Sequence, residues 1–319
     1  MRSEGVPPEQ FYERLEGMGG NLLRENLSWN ALEPNDDQFE WDLHDKSINN
    51  APERVGIVLV FVDSPSWARD LNEEIADCWN VLGCRMPPAH NMLHEWQEFI
   101  RTAVSRYHDD NIVGVEVWNE PNYKTFWRAG GNEPSRWATL VVEAAEAVAD
   151  VDPTIPIITG GLGPARQPGN PQLGIPQGDY LDAAYTANPN LADAVDAIGI
   201  HPYTAQRAPD DPSLGNLYAY TLSVIPPVRD EHDPGTPLWV TETGLYTGGL
   251  ENAVTLTEQA EWLMDIYDDL NASNLGVEAM IIHTLYDPPG ADDQKRHGLV
   301  RHNGDPKPAW TTFHNRFFP

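Results

Sequence analysis

The chain is short of lysine, of cysteine and of long apolar runs. Its lysines are Lys46, Lys124, Lys295 and Lys307; arginine makes up the rest of 20 basic residues, which face 49 aspartates and glutamates. A formal net charge of -29 repels the phosphate backbone of nucleic acid and the anionic leaflet of a membrane, so neither is expected as a partner. No apolar stretch approaches the ~18 residues needed to span a bilayer. Residues 1–10 also lack the basic and apolar regions of a signal peptide. A soluble chain is expected, either cytoplasmic or secreted after processing. The two cysteines, Cys78 and Cys84, lie six apart in one loop. That spacing suits a small disulfide in an oxidising compartment or a pair of free thiols, and it lacks the further Cys or His of a structural zinc site.

So one-sided a charge balance reads either as adaptation to salt or as an ordinary acidic surface. Repulsion between like charges weakens a compact state, and beyond ~10 Å it is screened at ~0.1 M salt. Under the salt-adapted reading, the unfolding midpoint should rise as sodium chloride is taken from low to molar concentration. A midpoint that stays flat or falls would leave only the acidic surface.

What the chain does contain is a core. Hydrophobic residues make up 40% of 319, with 11 Trp and 11 Tyr, enough to fill an interior and leave aromatics for a binding cleft. Short apolar runs, most of them bearing Val and Ile, at 21–27, 55–62, 113–118, 155–159, 197–201, 238–241 and 279–284, alternate with segments of helical period. This is the pattern of an α/β chain whose parallel sheet is covered by helices. Leu93, Trp96, Phe99, Ile100, Ala103, Val104 and Tyr107 form one helical stripe. Trp137, Leu140, Val141, Ala144, Ala145 and Val148 form another, between Pro134 and Pro153. Thr255 and Glu258 predict a capping box ahead of Trp262, Leu263, Ile266, Tyr267 and Leu270. A (β/α)₈ barrel takes about 250 residues, so one domain over 1–319 fits the length. Seven strands are legible where eight are needed. Residues 8–18 read as a helix with no strand ahead of it, so the first barrel strand is expected to be missing or truncated. The strand at 21–27 or the one at 279–284 should then present an edge that something else covers.

In barrels, chemistry collects at the carboxyl ends of the strands. The run Val113-Gly114-Val115-Glu116-Val117-Trp118 ends in Asn119-Glu120-Pro121-Asn122, and Leu238-Trp239-Val240-Thr241 ends in Glu242-Thr243-Gly244. Either glutamate alone reads as a solvated strand-end carboxylate; the two together call for a joint explanation. Other chemistries have weaker support. His90 and His94 with Glu95 are in the wrong order for a His-Glu-x-x-His zinc helix, no Gly-x-Ser-x-Gly elbow is present, and Pro164 spoils Gly160-Gly161-Leu162-Gly163 as a dinucleotide fingerprint.

Trp118-Asn119-Glu120-Pro121, then His201-Pro202-Tyr203, then Thr241-Glu242-Thr243-Gly244 resemble clan A of the glycoside hydrolases. The string from Glu116 to Asn122, with Phe126-Trp127 after it, is most similar to family 39 and its bacterial exopolysaccharide-hydrolase relatives. Arg24, Trp29 and Glu33-Pro34, the stretch from Ser64 to Ala68, Gly160-Gly161-Leu162 and Lys307-Pro308-Ala309-Trp310 match in the same order. The resemblance implies a (β/α)₈ TIM-type barrel and a retaining β-glycosidase acting on an oligo- or polysaccharide, with Glu120 as general acid/base and Glu242 as nucleophile. Such a pair stands about 5–5.5 Å apart, one carboxyl protonated and one ionised. The resemblance also makes Arg24 the cation beside Glu242, Tyr203 its hydrogen-bond donor and Asn119 a ligand of the sugar 2-hydroxyl. His201 would orient a neighbour or touch sugar. Trp67, Trp127 and Tyr246 are candidates for stacking on a sugar face, with packing of loops on the barrel as the alternative for each. His283 stands where many relatives carry an aromatic under the innermost sugar. No cofactor and no metal are implied. A competing reading keeps the cleft but not the turnover, as a non-catalytic carbohydrate-binding barrel.

Overall fold

The structure is a computed structural model and describes residues 5–70, 85–127, 133–165, 174–213, 215–248, 251–290 and 296–319. Cys78 and Cys84 lie outside the described residues. The chain opens with α1 (Pro8–Gly17) and β1 (Leu22–Ser28), followed by α2 (Trp29–Leu32), α3 (Asp42–Ile48), β2 (Gly56–Val62), α4 (Leu93–Tyr107) and β3 (Ile112–Asn119). Then come α5 (Pro134–Ala149), β4 (Ile157–Gly161), α6 (Gln177–Ala187), α7 (Leu191–Ala194), β5 (Ile198–Ile200), α8 (Leu217–His232) and β6 (Leu238–Thr243). It closes with α9 (Leu256–Ala272), β7 (Val277–Ile282) and α10 (Pro308–Phe317).

Every strand pairing between these elements is parallel. The order β1-β2-β3-β4 forms one sheet and β5-β6-β7 another. Single parallel bridges, Ile158 to Ala197 and Leu162 to Ile200, join β4 to β5, so the seven strands run as one series. This junction depends on Gly199, where a Cβ would lie 2.3 Å from the carbonyl oxygen of Thr159. Between the strands, helices bury the stripes expected of them. In α4, Trp96, Phe99, Ile100, Ala103, Val104 and Tyr107 are all buried, and β2 is buried along its whole length because helices and barrel interior cover both faces. The capping box at the start of α9 is formed in both directions by Thr255 and Glu258.

The structure departs from the sequence expectation mainly at element ends. β4 begins at Ile157 rather than 155, since Pro156 has no N–H to give a ladder. β7 ends at Ile282, which leaves His283 and Thr284 beyond the strand. Helix α8 carries Pro226 and Pro227 in its interior, a pair that argues against a helix when read as sequence; Asn216 starts it by accepting from the N–H groups of Tyr218 and Ala219.

Among the described residues no eighth strand stands between β7 and β1. A cavity of about 100 Å³ lies there instead, lined by Phe11, Leu15 and Met18 from the α1 region, Leu23 of β1 and Ile282 of β7. The α1 side chains thus occupy part of the place that an edge partner was expected to take. No described helix is long and apolar enough to cross a membrane.

Candidate active site

Strand β3 carries Glu116, Trp118 and Asn119 and delivers Glu120 at its end. Trp118 and Glu120 both have positive φ, 77° and 46°. Such conformations cost non-glycine residues roughly 1–3 kcal/mol each and persist only where the surroundings hold them. Here the Trp118 indole N–H donates to the Phe126 carbonyl at 2.7 Å, and the Glu120 N–H donates to the Gly161 carbonyl at 2.9 Å. The resulting kink turns the Glu120 carboxyl into a cavity of about 750 Å³ at the carboxyl ends of the strands. Glu242, Tyr203, Tyr246, His283 and His297 share that cavity.

The two glutamates meet different surroundings. Glu242, in β6, takes the Tyr203 hydroxyl on Oε1 and Arg24 Nη1 on Oε2 at 3.2 Å. Burial alone would raise its pKa. The facing rings of His201 and His283, the Arg24 guanidinium and the Tyr203 hydrogen bond outweigh burial and hold the carboxyl well below the usual carboxylate range. Burial and the neighbouring Glu242 push the Tyr203 phenol well above its ordinary value, so it remains a donor. Glu120 faces an imidazole instead, with its Oε1 3.1 Å from His201 Nδ1. Gly163 makes room for this carboxyl, since a Cβ there would lie 2.9 Å from Glu120 Oε1.

Beneath them lies a buried network that sequence reading missed. Arg24 of β1 donates through Nε to Glu116 Oε2 at 2.6 Å and through Nη2 to Glu116 Oε1 and Asn119 Oδ1, both at 2.9 Å. Burial disfavours a guanidinium charge, but Glu116 more than compensates and Arg24 stays charged. Glu116 was visible in the sequence as a charge inside an apolar strand, a position seldom occupied without a partner.

The remaining candidates divide by location. Asn119 is buried against Arg24 and His201 against Glu120, while Tyr246 and His283 line the cavity. His283 Nδ1 comes within 3.8 Å of Glu242 Oε1, and burial lowers its pKa. Trp67 and Trp127 stand apart from this group. Trp127 is fully buried with its ring 5.2 Å from that of Trp118, and Trp67 packs edge-on against Trp29 while donating to the Glu33 carbonyl. His297, Gln206, Arg207 and Asn252 also line the cavity; they come from loops with no strand pattern to point to them. His90 and His94 are exposed.

A model of the cellulase family, glycosyl hydrolase family 5, matches residues 3–279. Among solved structures, a family 39 glycoside hydrolase from the gut symbiont Bacteroides cellulosilyticus WH2 is similar at TM-score 0.72 and 19% identity, over 99% of this chain and 61% of that one. A monomeric β-xylosidase from Caulobacter crescentus CB15 gives 0.69 and 18%, over 98% and 64%. An exo-β-1,4-mannosidase from Opitutaceae bacterium strain TAV5 gives 0.61 and 15%, over 98% and 55%. The chain spans less than two thirds of the length of each of these three, and the likeness shows a shared (β/α)₈-type barrel.

Proposed function

Because the chain belongs to the cellulase family, glycosyl hydrolase family 5, we propose that it hydrolyses β-glycosidic bonds of an oligo- or polysaccharide with retention of configuration. The observation that carries this reading is the unequal treatment of two carboxyls in one cavity. Glu242 is held ionised by Arg24 and Tyr203, whereas among the described residues Glu120 faces the His201 ring. An ionised carboxylate can attack an anomeric carbon, and a protonated one can release the leaving oxygen.

In the first step Glu120 gives its proton to the glycosidic oxygen as Glu242 Oε bonds to the anomeric carbon and the aglycone leaves. In the second, Glu120 takes a proton from water, the water oxygen attacks the same carbon from the opposite face, and Glu242 is released as carboxylate. Asn119, fixed by Arg24 through its Oδ1, keeps its amide hydrogens for the sugar 2-hydroxyl, a contact that strengthens in the transition state. The cavity lining is polar, with Tyr203, Gln206, Arg207, Asn252, His283 and His297 around the two glutamates, which suits a polyol.

Proton NMR of the first-formed product tests this reading. A β-glycoside should give the β-anomer; an α-anomer would mean inversion and remove Glu242 from the nucleophile's role. A panel of aryl β-xylosides, β-glucosides and β-mannosides that binds without turning over would favour the non-catalytic barrel.

A further inference from the structure

We propose that Glu116 and Thr241 are positioning residues of a buried relay that fixes the tautomer of His201 and thereby assigns the proton to Glu120. The inference rests on the reading of Glu120 as the acid. It follows from counting hydrogens along one chain of contacts.

The chain starts at Glu116, which is fully buried. Its Oε1 and Oε2 receive a two-pronged contact from Arg24, at 2.9 and 2.6 Å, and Oε1 also accepts from the Gly161 N–H at 2.8 Å. Partners that can only donate, one of them a guanidinium, identify Glu116 as a carboxylate with no proton to offer. The Thr241 hydroxyl, 3.1 Å from the same Oε1, must therefore donate to it. A hydroxyl has one hydrogen. Toward His201 Nε2, also 3.1 Å away, Thr241 Oγ1 can only accept, so Nε2 carries a hydrogen. In a neutral imidazole the other nitrogen, Nδ1, is then a bare acceptor. It faces Glu120 Oε1 at 3.1 Å, and two acceptors at that distance attract only if the carboxyl supplies the hydrogen. With His201 neutral, Glu120 is the protonated partner.

The same Glu116 carboxylate holds Arg24, whose other nitrogen keeps Glu242 ionised. One buried charge thus sets both catalytic states, through a cation on one side and through a chain of hydrogens on the other. The relay also returns the acid to its starting state. Once Glu120 has given up its proton its anion faces the lone pair of Nδ1, a repulsion relieved when it takes a proton from the attacking water. Space for the chain comes from Gly161, where a Cβ would lie 2.1 Å from His201 Nε2 and 2.6 Å from Thr241 Oγ1. The titratable groups around it are Arg24 on β1, Tyr123 after β3, Tyr203 after β5, Glu242 on β6 and His283 after β7.

Nitrogen-15 NMR of the labelled full chain reads the tautomer directly, without any substrate. His201 should appear near neutral pH as the Nε2–H form. Thr241→Val keeps the shape and removes the acceptor, which frees His201 to carry its hydrogen on Nδ1 and donate it to an ionised Glu120. The basic limb of the pH profile of kcat/KM should then move toward acid by about one pH unit. On a poor leaving group at neutral pH, kcat should fall about tenfold with KM and the acidic limb in place. Thr241→Ser should restore the parent profile. An Nδ1–H or doubly protonated His201 in the parent enzyme overturns the relay, as does a Thr241→Val basic limb that does not move. A parent chain that turns over no glycoside sinks the hydrolase reading instead, and the tautomer then still decides the relay.

Discussion

Alanine in place of Glu242 is expected to abolish hydrolysis of every substrate, by roughly 10⁵-fold or more, since no other group can form the glycosyl-enzyme. Alanine in place of Glu120 should act selectively. An aryl glycoside with a good leaving group needs little protonation, so its first step should survive while the intermediate, lacking its base, accumulates and gives a burst. Natural glycosides should lose both steps. Azide, a nucleophile that needs no general base, should attack the trapped intermediate and restore turnover with the β configuration kept. Steady-state and burst kinetics on one aryl glycoside and one oligosaccharide check the pair of variants. Equal losses on both substrates in Glu120→Ala would contradict its role as acid.

The second large effect is on stability. Arg24→Met leaves Glu116 as a buried carboxylate without its cation, and breaking one partner out of such a pair costs about 3–5 kcal/mol. Urea unfolding should show that loss as a lower midpoint, and activity should fall as well because Glu242 loses its Arg24 contact. Adding Glu116→Gln removes the orphaned charge. The double variant should recover much of the stability and little of the activity, which separates the fold from the chemistry.

All seven strands could be read from the sequence because each is a short apolar run, Leu-rich in β1 and mostly Val- or Ile-bearing in the others, bounded by turn residues. Three of the helices could be read because an unbroken stripe or a capping pair marks them. Helix α8 could not, since local proline signals contradict what tertiary packing enforces there. At the site, the strand-end rule and the family resemblance located Glu120 and Glu242, and the structure places Arg24, His201 and Tyr203 against them, with Asn119 held by Arg24. Glu116 and Thr241 escaped because their significance is a matter of hydrogen direction between strands far apart in the chain, which no local pattern encodes. Trp127 shows the opposite limit. A loop tryptophan looks the same in sequence whether it meets a sugar or, as here, Trp118.

The seam between β7 and β1, where side chains of the α1 region line a cavity, has a mechanical consequence. Arg24 sits on the strand at one lip of that seam, and Glu242 lies one strand beyond the other lip. Their 3.2 Å contact therefore bridges the barrel across that seam. If the seam opens locally, that contact should lengthen first, and Glu242 should lose its cation while the rest of the barrel is still intact. On heating, hydrolysis is therefore expected to be lost before the fold.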